Sequence, residues 1–222
     1  MQDAMFVTPG RQPLLPPFIV SSLLQLNRRL LELAARPRPT SGWHPYVPEN
    51  LALRLARMNE ERREALARVP YALFDLHFAD DARWERALTC AAHPRVTDAG
   101  AREADAQQFA QIIVFFAWNV AQAAPRCAPL VLGMSERVAA ALAALTLDRL
   151  PELHGLLRGA LSLRWPERRS YWFALTSGSH LPGSADFRRT QLFGLQLAAA
   201  ARLDCAALTD ARAAGQERIA AR

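Results

Sequence analysis

Between residues 18 and 35 apolar side chains return at helical spacing, at Ile19, Leu23, Leu26, Leu30 and Leu33, and the run stops at Arg36-Pro-Arg-Pro. A stripe of that period buries one face of a helix, and a proline disfavours helical geometry in the residue before it. The same pairing of helical stretch and proline stop recurs down the chain and leaves little room for strands. Residue preference agrees. Alanine and leucine dominate the apolar half, isoleucine is scarce, and valine and threonine are modest. Straight-chain side chains lose little rotamer freedom in a helix, whereas β-branched ones suit strands. The expected fold is all-α, a multi-helix bundle with a helix–turn–helix-like pair in its C-terminal half.

At 222 residues the chain can form one sizeable domain or two small ones. Residues 1–17, with four prolines and a glycine, predict a poorly ordered lead-in. After the first helix and a loop containing Trp43, Pro45 and Pro48, a second helix begins near Glu49. Asn59 is placed to cap a third, its side chain satisfying free backbone amides while Glu60 and Glu61 complement the helix dipole. Asp80 or Asp81 starts another, through Trp84 to Ala92. The polar stretch His93–Gly100 is the expected boundary between an N-terminal helical subdomain (18–97) and a second helical domain (98–205), followed by a fraying tail (206–222). In the second domain a long helix over Glu103–Ala124 turns apolar all round in its second half, which predicts burial. Ser135 caps the next, to about Leu145. A turn at Thr146–Asp148 opens another, to about Arg158, with Thr146 as its cap and Pro151 in its first turn. Further helices are expected from Pro166 and from Ser184.

The formal charge is +6, and all 27 basic residues are arginine. Arginine suits bidentate phosphate contact, but its spread along the whole length, beside an alanine excess, points to coding bias rather than a selected phosphate surface. Cys90, Cys127 and Cys205 are odd in number and far apart, which fits neither a disulfide framework nor a zinc site. They are expected as buried apolar residues in a reducing compartment. The N-terminus shows no basic segment followed by an apolar core, so no secretion signal is expected. The most apolar run, Ile112–Trp118, is seven residues long, against roughly 20 for a membrane span. A cytoplasmic protein with no membrane span is the expectation.

Chemistry is sparse. The five histidines are isolated from one another. Asp75, His77, Asp80 and Asp81 cluster in sequence, but Asp75 and His77 cannot share a helix face, and Asp80–Asp81 fits a helix start better than a metal site. Ser177-Gly-Ser-His180 lacks the strand–elbow–helix context of a nucleophile. No glycine-rich phosphate loop follows a strand. No catalytic, cofactor-binding or metal-binding residue is assigned, no cofactor is expected, and the chain is not expected to be an enzyme. Arg164, Trp165, Arg168, Arg169, Tyr171 and Trp172 combine arginines with aromatics, as nucleic-acid surfaces do. Helical spacing cannot put all six on one face, and Trp165, Trp172 and Phe173 are expected to pack the core while the arginines face water.

Residues 132–153 read LGMSERVAAALAALTLDRLPEL, two short helices joined at Thr146–Leu147–Asp148. Val138, Leu142 and Leu145 line one face of the first helix, and Leu150 and Leu153 one face of the second. Geometry of this kind is common in bundles. The wording resembles the FlhD family of flagellar transcriptional activators. Leu132, Gly133, Met134, Glu136, Ala139, Leu142, Ala143, Leu145, Thr146 and Leu147 take the family's positions, Leu153 follows at the expected distance, and Arg164 with Trp165 falls where the family has an arginine–aromatic pair. The resemblance spans about residues 107–176. It departs at Leu130 and Val131, where the family has phenylalanine–arginine, and at Asp148, where the family has proline. It has no counterpart for the first hundred residues.

That resemblance implies an all-helical subunit that self-associates and joins a second regulatory protein, with much of any DNA contact supplied by that partner. The DNA-binding candidates are Arg164, Arg168 and Arg169. The expected function is transcriptional regulation through a protein partner, which could be a second copy, with DNA contact as a further possibility. The alternative is a helical adaptor of a secretion or motility apparatus that makes no DNA contact.

Overall fold

A computed structural model describes residues 15–36, 47–89, 101–156, 160–177 and 183–201. The described residues are 71% helical, with a single two-stranded sheet. The fold is all-α. Residues 1–14 of the expected lead-in over 1–17, the expected boundary at 93–100, the loop around His180 and the tail over 206–222 lie outside the described residues.

Helix α1 (Pro17–Ala35) starts on prolines, whose fixed φ and missing N–H suit a first turn. Its stripe is buried as the spacing predicts: Ile19, Leu23, Leu26, Leu30 and Leu33 are all in the core. Helices α2 (Glu49–Ala56) and α3 (Glu60–Ala67) pack across α1. Asn59 caps α3, its side chain accepting the Arg62 N–H. Helix α4 (Asp81–Thr89) begins behind Asp80, whose carboxylate accepts the Arg83 N–H.

Helix α5 (Ala101–Ala123) crosses the centre of the bundle, with Phe109, Ile113, Val114, Ala117 and Val120 inward. It is not buried all round, because Ile112 is 47% exposed beside a polar edge at Asn119 and Gln122. Short helix α6 (Ala128–Leu132) ends on Gly133 at φ +73°, a left-handed cap that glycine adopts without strain.

The helix–turn–helix-like pair is present. Helix α7 (Glu136–Ala143) is capped by Ser135, and a 3-10 turn (Leu147–Arg149) leads into α8 (Leu150–Leu156). Val138, Leu142, Leu150 and Leu153 are buried as expected. Thr146, however, caps nothing with its side chain. It hydrogen-bonds the Asp148 carboxylate instead, which holds that carboxyl below its ordinary range. The exposed end of α7 is tied down from α5, where Trp118 Nε1 donates to Leu145 O (2.9 Å) and Gln122 donates to Ala143 O (3.3 Å).

The chain then forms β2 (Ser162–Leu163), antiparallel to β1 (Phe74–Asp75), with Phe74 opposite Leu163. Helix α9 (Arg169–Thr176) starts three residues later than the proline predicts. The reason is a turn that follows Trp165 (φ +53°): the Arg168 N–H donates to Trp165 O (3.0 Å), and Arg168, at ψ 67°, is not yet helical. A final helix, α10, covers residues 185–201 and is capped by Ser184, whose hydroxyl accepts the Phe187 N–H.

One hydrophobic core takes residues from both sides of the 90–100 stretch, including Leu30, Tyr71, Phe74, Phe109, Leu142 and Trp172. Inside it runs a polar layer. Asn27, fully buried on α1, donates to Ala67 O and Tyr71 O and accepts the Leu73 N–H. The Tyr71 and Tyr171 hydroxyls are 3.0 Å apart. Gly194 of α10 lies against Tyr71 so closely that a β-carbon there would overlap the phenol. Among the described residues no helix is long and apolar enough to cross a membrane.

Candidate binding cleft between α2 and α9

The three arginines singled out from sequence separate into two environments. Arg164, directly after β2, is only 4% exposed. Its backbone N–H donates to Leu73 O (2.8 Å), continuing the β1–β2 pairing. Its guanidinium donates to Val131 O (3.0 Å) and Leu130 O (3.3 Å), and stacks on Trp165 at 4.4 Å. Leu130 and Val131 lie in the last turn of α6, so Arg164 bonds carbonyls that a helix terminus leaves free, sharing Val131 O with the Ala72 N–H (2.7 Å). Gly133 makes the room, since a β-carbon there would come within 2.9 Å of Arg164 Nη2. Burial lowers the Arg164 pKa to about 10, against the opposing pull of Asp75, Tyr171 and Tyr71. A guanidinium enclosed in this way cannot reach a phosphate, and Arg164 leaves the set of candidate DNA contacts.

Arg168 and Arg169 go the other way. The Trp165 turn sets Arg168 at the N-cap of α9 and Arg169 as its first residue, and both side chains are exposed. Arg168 has a loose, solvent-exposed contact with Glu167 (3.8 Å). Arg169 has no ion pair among the described residues. On α9 the side chains of Arg169, Trp172, Phe173 and Thr176 fall on one face at helical spacing. Trp172 packs into the core, with Nε1 donating to Arg164 O (3.1 Å), and Trp165 packs against it from a partly buried position. Phe173 does not join the core: it is 59% exposed.

That face looks across a cleft of about 390 Å³ to α2. Pro48, Asn50, Leu51 and Arg54 line the opposite wall, and Pro166 and Ser170 close the α9 side. Arg54 lies flat over the Phe173 ring at 4.1 Å, and its Nη1 donates to Thr176 Oγ1 (3.3 Å). Among the described residues no carboxylate pairs with Arg54, whereas Arg28, Arg63 and Arg68 on the neighbouring helices each have one. The cleft thus has an apolar floor and two guanidiniums at its rim. Arg54 was not legible as a site residue, because nothing near it in sequence distinguishes it from other helix-surface arginines.

The Asp75–Asp81 cluster is structural. Asp75 accepts the Phe78 N–H (3.1 Å), Asp80 caps α4, and Asp81 accepts a hydrogen bond from the Ser135 hydroxyl. Burial raises the Asp75 pKa, opposed by its hydrogen bond from Phe78. Among the described residues no three metal-ligating side chains gather, and Ser177-Gly-Ser-His180 lies largely outside them. Comparison with family models, curated proteins and solved structures finds no match to this chain.

Proposed function

We propose that this chain is a cytoplasmic, non-catalytic regulatory subunit of the FlhD type that works by holding a protein partner, with DNA contact secondary. The observation that supports it is the α2–α9 cleft. An aromatic ring left 59% exposed at the edge of a concave apolar surface, with arginines beside it, has the make-up of a protein contact, where aromatics and arginine carry most of the binding energy. Arg168, outside the cleft lining, is the side chain through which the chain touches DNA within a complex, and Arg169 joins it only while the cleft is empty.

The adaptor of a secretion or motility apparatus is the second reading, and the enclosure of Arg164 favours it, because that residue supplied a third of the proposed DNA surface. Duplex binding by fluorescence anisotropy at two salt concentrations separates the two. The regulatory reading expects weak binding, on the order of micromolar or poorer near physiological salt, that falls steeply as salt rises. It also expects Arg168→Glu with Arg169→Glu to weaken binding while the fold persists. No binding at low salt, alone or with a co-purified partner, transfers the assignment to the adaptor.

A further inference from the structure

Resting on the reading that the chain acts through a protein partner, we infer that the α2–α9 cleft receives an acidic peptide segment of that partner, with a carboxylate held by Arg54 and Arg169 and a neighbouring large apolar side chain seated on Phe173. Charge is the first argument. Among the described residues no acidic residue lines the cleft, Arg169 has no ion pair, and Arg54 gives one hydrogen bond to a hydroxyl. Its stack on Phe173 fixes the guanidinium plane while leaving most of its in-plane N–H donors uncommitted. A planar fork held in that way matches a carboxylate. Asn50 adds to the rim: its side-chain oxygen accepts the Leu51 N–H (2.9 Å), which leaves its amide nitrogen as a further donor.

Shape is the second argument. A phosphate backbone is convex, polar and strongly hydrated, and it gains nothing from a floor of Pro48, Leu51, Pro166 and Trp172. A peptide side chain does gain, by removing the part-exposed Pro48 and Pro166 and the exposed Phe173 ring from water over the buried Leu51 and Trp172. A cleft of about 390 Å³ accommodates a few side chains, on the small side of the range for ligand sites. Acidic and apolar groups adjacent in one short segment satisfy both features at once.

The test is an unbiased peptide selection from a displayed random library against the full-length protein, with the recovered peptides re-measured by anisotropy. Enrichment of aspartate or glutamate beside leucine, phenylalanine or tryptophan is expected. Arg54→Glu with Arg169→Glu should weaken those peptides on the order of 10–100-fold, the scale of losing charge-assisted hydrogen bonds. Phe173→Gln, which leaves the charges in place, should weaken them on the order of 10-fold. Thermal melts confirm that each variant is folded, and Arg54→Gln with Arg169→Gln replaces the charge reversal should it unfold. Peptides that are not acidic, that bind the variants as well as wild type, or that fail to enrich would each overturn the inference.

A photoreactive phenylalanine analogue at position 173, with a control at exposed Leu147, reports separately on the partner reading. A cellular crosslink to another protein from 173 but not 147, alongside non-acidic selected peptides, sinks the chemistry and keeps the partner. Loss of every crosslink to another protein sinks the partner reading itself. A crosslink from 173 to the chain's own segments in purified protein assigns the cleft an internal occupant and overturns the inference.

Discussion

Arg164 stacks on Trp165 at 4.4 Å and Arg54 stacks on Phe173 at 4.1 Å, so the same pairing occurs both inside the molecule and on its surface. Inside, the guanidinium donates to two α6 carbonyls, and its own backbone N–H joins the strand pair. On the surface, one hydroxyl is the only hydrogen-bond partner Arg54 has among the described residues. An arginine–aromatic pair therefore has no function of its own. Which donors are left over decides whether it is a strut or a binding site. The interior region should therefore resist every change of shape or charge, and the cleft should tolerate many.

The strongest way to break that contrast is Asn27→Ala. It leaves the carbonyls of Ala67 and Tyr71 and the N–H of Leu73 unpaired in the core, each worth roughly 1–3 kcal/mol. A loss of about 4 kcal/mol in urea unfolding is expected, and a loss below about 1 kcal/mol would show that the polar layer is not a stabilising element.

Alkaline titration sharpens it next. Burial raises the Tyr71 pKa from 10.0 to about 12 and pushes Tyr171 well above 10.0. Groups whose folded pKa is raised contribute stability that is complete below the unfolded value and lost as pH climbs through the folded one. Arg164, lowered from 12.5 to about 10, opposes this over the same range and offsets the Tyr71 contribution, so the net fall comes from Tyr171. Stability should fall between about pH 9.5 and 12. Of the three tyrosines, Tyr71 and Tyr171 should develop tyrosinate absorption only as the protein unfolds. Full tyrosinate absorption from a protein still folded near pH 10.5 would contradict the buried hydroxyl pair.

Gly194→Ala comes third. Alanine is the better helix former by about 1 kcal/mol, yet its β-carbon meets Tyr71, and overpacking of this kind costs roughly 1–3 kcal/mol. A net loss near 1 kcal/mol is expected. A gain would mean that α10 does not press on Tyr71.

The smallest effect belongs to Thr146→Ala. The usual loss for a helix cap is about 1 kcal/mol, but the Thr146 side chain caps nothing here. A change within about 0.5 kcal/mol is expected, as for other exposed positions. A full capping loss would restore the geometry that the residue order suggests.

These cases also show what could be read from residue order. Asn59 and Ser135 were legible as caps because a cap and the amide it serves are three residues apart. The α1 stripe was legible because its period belongs to one helix. Asn27 sits within that stripe but bonds to groups 40 to 46 residues away, and no local pattern records them. Strands of two residues are too short to show alternation. Arg164 looked like its neighbours Arg168 and Arg169 because its carbonyl partners lie on α6. Thr146 misled because a competing acceptor, Asp148, stands two residues on. Of the cleft, the exposed α9 arginines were readable, whereas Phe173 had been expected in the core and the α2 wall had no signal at all.

The pairing of Phe74 with Leu163 has a consequence for synthesis. The two residues leave the ribosome 89 positions apart, so the first waits on the order of 4–18 s at roughly 5–20 residues per second. Throughout that interval Tyr71, Leu73 and Phe74 have neither their strand partner nor the aromatic cover of Trp165 and Tyr171. A nascent chain in that state is an apolar segment with open backbone donors, the kind of surface that chaperones hold and that aggregates when they do not. Yield in the cell should therefore depend on the rate of elongation through residues 75–163 and on chaperone supply, even where the finished protein is stable.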